Sequence, residues 1–248
     1  MTIIAIPYHQ DEQLDPADLP IAADTTVEAR FAPGADRWQR LVQVHDTVAA
    51  AVAGSPVPPT VVSGDCLVAI GVTAGLQRAG LDPGVVWFDA HGDVHTMASS
   101  TSGYLGGMAL RWLVGGDPEL VTGPLGLRPL AEDRAVLVDA RDLDPAEHDY
   151  LRTAAVTHRQ VAGLDAADLP TGPLLLHVDV DVIDSAEVPG LRFPVPGGPD
   201  GGTVLAALRR VLATGRVAAL HLACPWRPTT DADRAARTEL LARLTSLG

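Results

Sequence analysis

The residues best placed to do chemistry alternate along one short stretch, VVWFDAHGDVH, where Val85 to Phe88 run into Asp89, His91, Asp93 and His95. A strand carries residues i, i+2 and i+4 on one face, so the end of an apolar strand and the loop beyond it would aim these side chains into one space. A second run, LLLHVDVDVID, repeats the pattern with His177, Asp179, Asp181 and Asp184 behind Leu174 to Leu176. Burying so many carboxylates together is costly unless cations neutralise them. Carboxylates joined by imidazole, without a dense cysteine cluster, favour a hard or borderline divalent ion. Two such segments can bridge a pair of ions about 3.5–4 Å apart, which would generate a hydroxide near neutral pH and polarise the bond under attack.

The elements that must position these groups follow from the pattern of apolar runs and breakers. Thr2 to Ile6, Thr60 to Val62, Val85 to Phe88, Ala135 to Val138, Leu174 to Val178 and Val217 to Leu222 read as strands. Between them, helices are predicted over Asp36 to Ala53, Cys66 to Arg78, Gly103 to Val114, Asp144 to Arg152, Asp200 to Ala213 and Asp231 to Leu244, the last with a cap at Thr230 or Asp231. Gly71 and Gly75 are expected to let their helix pack closely on a sheet. Alternating strands and helices give an α/β fold, a three-layer αβα sandwich with a mainly parallel central sheet. No linker divides the chain, so residues 1–248 read as a single domain. In such sheets ligands gather beyond the carboxyl ends of the strands. That edge would carry Asp65, Cys66, Asp89, His91, Asp93, His95, Asp139, Arg141, Asp179, Asp181, Asp184 and Cys224.

A formal net charge of -13 argues against nucleic acid or an anionic membrane as a partner. All 18 basic residues counted as Lys or Arg are arginine, and the absence of lysine rules out a P-loop. Only two cysteines occur, too few for a disulfide scaffold, and no apolar run is long enough to cross a membrane. The expected setting is cytoplasmic, with a small-molecule substrate.

Three motifs carry a family resemblance. Ser63-Gly64-Asp65-Cys66-Leu67 resembles the GGDHS motif of the arginase and agmatinase (ureohydrolase) family. Asp89-Ala90-His91-Gly92-Asp93-Val94-His95 resembles its DAHxDxN, and His177 to Asp184 resembles its SxDxDxxDP. The resemblance implies a three-layer α/β domain, assembled as homo-oligomeric trimers or hexamers. It implies hydrolysis of a guanidino or amidine carbon by hydroxide bridging two manganese ions. By position, Asp89 and Asp179 would bridge the ions, Asp93 and Cys66 would complete one shell, and His91 with Asp181 would serve the other.

The chain also departs from the family. Cys66 stands at a histidine ligand's place, which brings zinc or iron into consideration beside manganese. Gly106, in SGYLGGM, takes the place of the proton-shuttling histidine, and Cys224 and His221, in ALHLACPW, stand where a glutamate and an aspartate are usual. His95 replaces an asparagine and is the candidate replacement shuttle, so His95, Asp93 and Cys224 form the candidate catalytic group. Cys66 reads either as a ligand or as a small buried hydrophobe, and Cys224 either as a packing residue or as a thiolate nucleophile with His95 or His221 as its base. His177 should point away from Asp179 or pack beneath it, and neither it nor His221 is a first-choice ligand. His9 and Arg141 are candidates for the pocket lining, and the Gly/Pro-rich stretch from Pro189 to Gly202 for a loop over the site. The cysteine at 66 also resembles a change in an arginase-like enzyme that hydrolyses N-hydroxyarginine. The expected activity is therefore metal-dependent hydrolysis of a guanidino, N-hydroxyguanidino or amidine C–N bond; the alternative is an arginase-fold protein with a binding or regulatory role.

Overall fold

The computed structural model describes residues 2–228 and 230–247. Its strands are β1 (Thr2–Ile6), β2 (Tyr8–His9), β3 (Glu12–Gln13), β4 (Thr25–Thr26), β5 (Pro59–Ser63), β6 (Gly84–His91), β7 (Ala135–Asp142), β8 (Thr157–Arg159), β9 (Leu174–Asp179) and β10 (Val217–Ala223). The helices are α1 (Arg37–Ala53), α2 (Val68–Arg78), α3 (Ala109–Leu113), α4 (Thr122–Leu125), α5 (Pro145–Leu151), α6 (Gly201–Leu212) and α7 (Asp231–Thr245). Eight strands form one sheet in the order β4-β1-β5-β10-β9-β6-β7-β8. Every pair in it is parallel, while β2 and β3 make a separate antiparallel pair.

Burial on both faces explains why the central strands are apolar throughout. Along β6, Val85 and Trp87 join the core shared with α1, α2 and α3, whereas Val86 and Phe88 join the core shared with α6 and α7. The same alternation delivers Asp89 to the Trp87 face, just where the strand runs out. The sheet therefore ends in a row of polar groups because the apolar pattern stops there.

Helix ends follow the capping rules. Asp36 Oδ1 accepts from Gln39 N at 2.9 Å while Gln39 Oε1 accepts from Asp36 N at 3.1 Å, a reciprocal box at the start of α1. Thr230 caps α7, its Oγ1 accepting from Asp233 N at 3.3 Å. Two expectations are corrected. Gly71 and Gly75 face α1 and not the sheet: a Cβ would stand 2.8 Å from Val48 Cβ at the first and 2.7 Å from Val52 Cβ at the second. The helix predicted from Gly103 begins only at Ala109, after a single 3-10 turn at Gly106–Met108. Gly103 adopts a φ of +68, outside the helical region, and the Gly106-Gly107 pair has little helix propensity.

Beside the site, β7 holds one extra residue. Asp89 pairs with Asp139 but His91 pairs with Asp142, so the register slips between them. Asp139 and Ala140 take φ values of 80 and 47 to make room. This is a bulge, and its effect is to turn the following Arg141 back under the neighbouring loop.

Candidate metal centre

Five of the six sequence-predicted ligands are buried at or just beyond the carboxyl ends of three strands: Cys66 after β5, Asp89 and Asp93 at β6, and Asp179 and Asp181 at β9. The sixth, His91, is partly exposed and closes the group from the cavity side. Cys66 Sγ lies 2.9 Å from Asp179 Oδ2 and 3.8 Å from Asp89 Oδ2. On the other side, His91 Nδ1 lies 3.1 Å from Asp181 Oδ2 and 3.4 Å from Asp89 Oδ1. Asp89 thus faces both halves, as a bridging carboxylate must.

Local geometry fixes each carboxylate. Asp179 Oδ1 accepts from Asp181 N at 2.9 Å and Asp181 Oδ1 from Ala90 N at 3.1 Å, which ties the end of β9 to β6. Asp89 accepts from His91 N at 2.7 Å and from Trp87 Nε1 at 3.1 Å. Asp93 sits at a φ of 54, and its Oδ2 is buried without a hydrogen-bond partner among the described residues.

The electrostatics call for a cation. Burial, followed by repulsion from Asp181, pushes Asp89 up from 3.8 to about 6. Burial and neighbouring carboxylates push Asp93 and Asp179 well above the usual range, and burial with Asp179 beside it does the same to the Cys66 thiol. For His91, burial disfavours the cation, but its bonds to Asp181 and Asp89 outweigh that and raise it to about 12. Among the described residues, His91 is the basic side chain in direct contact with the carboxylates of both Asp89 and Asp181. The orphaned Asp93 oxygen and the convergent carboxylates fit a divalent ion far better than they fit themselves.

The group forms the floor of a cavity of about 300 Å³ that also takes in His95, Tyr104, Asp142, Asp144, Glu147 and Phe193. His95 Nε2 lies 3.0 Å from Asp144 Oδ2 and 3.9 Å from Glu147 Oε2, and its Nδ1 lies 3.1 Å from Ser99 Oγ. Glu147 is itself held by Asp144 N at 3.1 Å and Val94 N at 3.2 Å. The sequence does not mark Asp142, Asp144 and Glu147 as site residues. Asp142 reaches the wall as the last residue of β7, paired with His91, whereas Asp144 and Glu147 read only as a helix start until the contact of Glu147 with Gly92 brings them there.

The remaining candidates fall elsewhere. Cys224 is buried in the α6 and α7 core, does not line the cavity, and has its thiol pushed up by burial and then by Asp179. Neither proposed base reaches it by a hydrogen bond among the described residues, since the ring nitrogens of His221 meet Ser63 Oγ and His177 Nδ1, each at 2.8 Å. Both cysteines are free thiols. His177 packs beneath Asp179, stacked on Trp87 with ring centroids 3.5 Å apart. His9 lines a neighbouring cavity and pairs with Asp65 at 3.7 Å. Arg141 is neither a surface salt bridge nor a lining residue: it binds the Asp139 carboxylate and donates to the carbonyls of Asp181, Val182 and Val195 at 3.1, 3.0 and 2.8 Å. It therefore clamps the ligand loop from behind. Asp184 organises the same loop, accepting from Ala186 N at 2.8 Å and Gly197 N at 2.7 Å. A Cβ at Gly106 would fall into the Tyr104 ring, so the tyrosine fills the space beside that glycine.

A parallel sheet between two helical layers, with candidate metal ligands clustered along its carboxyl edge, defines the class. The sequence model of the arginase family matches residues 2–246, and the chain belongs to that family. An arginase of Eremothecium gossypii is 35% identical over 195 residues, covering 72% of this chain and 49% of its own length. An arginase of Bacillus subtilis is 30% identical over 153 residues, covering 56% and 52%. The chain thus spans about half the length of the curated relatives it matches. The solved arginase of Bacillus caldovelox superposes with a TM-score of 0.82 at 24% identity, covering 100% of this chain and 98% of that one. A formimidoylglutamase of Bacillus subtilis gives 0.67 at 17% identity, covering 99% and 86%. These superpositions support the expected three-layer α/β fold. No described helix is long and apolar enough to cross a membrane.

Proposed function

We propose that the chain is a divalent-metal-dependent hydrolase of a guanidino or amidine C–N bond in a small molecule. The observation that carries this reading is the pair of ligand groups sharing Asp89 at the floor of the cavity. Cys66, Asp89, Asp93 and Asp179 would hold one ion, and Asp89, His91, Asp179 and Asp181 the other. Manganese suits the oxygen-rich His91 side, while the sulfur of Cys66 opens its side to zinc or iron. When bound, such ions supply Lewis acidity and a water nucleophile at neutral pH.

The other roles belong to this chain's own residues. Among the described residues, seven carboxylates and no basic residue other than histidine line the cavity, which favours a cationic substrate. Four of these are ligand candidates, leaving Asp142, Asp144 and Glu147 at the wall to attract and orient the substrate, including an amino group carried away from the reacting carbon. This wall takes over anchoring that Cys224, withdrawn into the core, does not supply. His95, held between Ser99 and the Asp144–Glu147 pair, can pass a proton to the leaving amine. Tyr104 and Phe193, with ring centroids 4.7 Å apart, narrow the mouth and limit water. By family likeness the protein would be a cytoplasmic homo-oligomer folded as one domain.

The test is to load the purified protein with manganese and measure urea or ammonia released from a panel of guanidino and amidine compounds, beside Asp179→Ala. Activity that requires metal and is lost in the variant is expected. A folded wild-type protein that takes up no manganese, zinc, iron or cobalt would overturn the reading.

A further inference from the structure

His177 is fully buried, and its Nε2 has no hydrogen-bond partner among the described residues. A buried polar atom left in that state needs an explanation. The hydrogen bonds around it give one. Ser63 Oγ donates to Asp65 O at 2.9 Å, so it accepts from His221 Nε2 at 2.8 Å. His221 Nδ1 then carries a lone pair and accepts from His177 Nδ1 at 2.8 Å. With its proton committed to Nδ1, a neutral His177 presents a lone pair at Nε2, the form in which imidazole binds a metal. One ring nitrogen of His177, the Cys66 sulfur and an Asp89 oxygen all lie within 4.8 Å of one another.

Two of the departures from the family motifs, at positions 66 and 177, are complementary. Position 66 has cysteine where GGDHS has histidine, and position 177 has histidine where SxDxDxxDP has serine. One wall of the site has lost an imidazole and the facing wall has gained one.

We propose that His177, through Nε2, joins Cys66 and Asp89 as a metal ligand, so that the ion on this side is held by a mixed sulfur, nitrogen and oxygen set. This rests on the metal-centre reading and adds to it both a ligand and a selectivity. Such a set suits zinc or another borderline ion better than manganese, whose preference is for oxygen. The two halves of the centre would then differ in kind: a softer, deeper site at Cys66 and a harder, outer one at His91.

Cobalt(II) titration tests it, because a thiolate-to-cobalt band in the near ultraviolet reports only the ion touching Cys66. The band should appear in the wild type and vanish in Cys66→Ser. Its midpoint should move to higher cobalt in His177→Gln by more than the roughly 10–100-fold that loss of a mere outer-shell partner costs, and less in His91→Gln. An unchanged midpoint in His177→Gln would overturn the proposal, as would cobalt uptake by the wild type with no thiolate band. Either result leaves the hydrolase reading standing, whereas a folded wild type that binds no metal removes both. Should His177→Gln fail to fold by circular dichroism, zinc X-ray absorption on His91→Gln decides, since the other imidazole of the centre is then gone. Sulfur together with imidazole around the ion supports the assignment, and sulfur without imidazole refutes it.

Discussion

Replacing Asp89 with Asn should stabilise the metal-free protein, although Asp89 is central to the site. Its carboxyl is raised from 3.8 to about 6 by burial and by Asp181, so the folded chain holds an anion it would rather protonate. At about 1.4 kcal/mol per pH unit this costs the fold about 3 kcal/mol at roughly pH 7.5. Asn removes that cost but deprives His91 of one carboxylate partner, leaving a net gain of about 1–3 kcal/mol, or roughly 3–10 °C in Tm for a chain of this size. The sign follows from the raised folded pKa: wild-type stability is greatest below the unfolded value and falls as pH rises through about 6. The advantage of Asp89→Asn should therefore vanish at about pH 4, where both proteins are neutral at this position. Thermal denaturation in chelator at the two pH values is the assay. Manganese or zinc at about a thousand times Kd should reverse the order, because only the wild type gains fully from ligand binding, by about 4 kcal/mol. A variant less stable than wild type in chelator at neutral pH, or a difference independent of pH, would refute this account of the carboxylate cluster.

Four further outcomes are expected. Gly75→Val should cost about 1–3 kcal/mol in chemical denaturation, because the new side chain meets Val52 and the Ala49 carbonyl, whereas Gly163→Ala, which meets nothing within 4 Å, should be nearly neutral. Arg141→Met should release metal to a chelator about 10–100-fold more readily with secondary structure intact, since the loop of Asp181 loses its clamp. His95→Gln should lower kcat about 100-fold or more with little change in metal content. Glu147→Gln should chiefly raise KM for a cationic substrate, read in steady-state kinetics against a neutral analogue.

The sheet and the ligand edge were legible because each depends on local pattern: apolar runs ending in alternating Asp and His fix both the strand and the direction of its last side chains. Asp89, His91, Asp93, Asp179 and Asp181 come together as that pattern requires, and Cys66, in the turn after β5, joins them. What stayed hidden depends on partners far along the chain. The two glycines of α2 report a close neighbour without saying that it is α1. Nothing in the ordinary-looking VLVDARD marks Asp139 and Ala140 as a bulge, and without the bulge Arg141 cannot be seen to turn under the Asp181 loop. Asp144 and Glu147 look like a helix start, which they are; only tertiary packing gives them a second use as cavity wall. Alternation left His177 either pointing away from Asp179 or packed beneath it; the fold decides for the second, and the open Nε2 emerges only from counting donors through His221 and Ser63.

Tyr104 lies against His9 on one side and Phe193 on the other, and its ring fills the space that any side chain at position 106 would enter. The two positions are therefore not free to vary one at a time. Installing histidine at 106 while Tyr104 stays would drive the aromatic ring out of its seat and open the cavity mouth before any proton shuttle could work. A histidine can be seated at 106 only once a smaller residue stands at 104, so the two positions form one coupled unit in which the ring at 104 sets what 106 can carry.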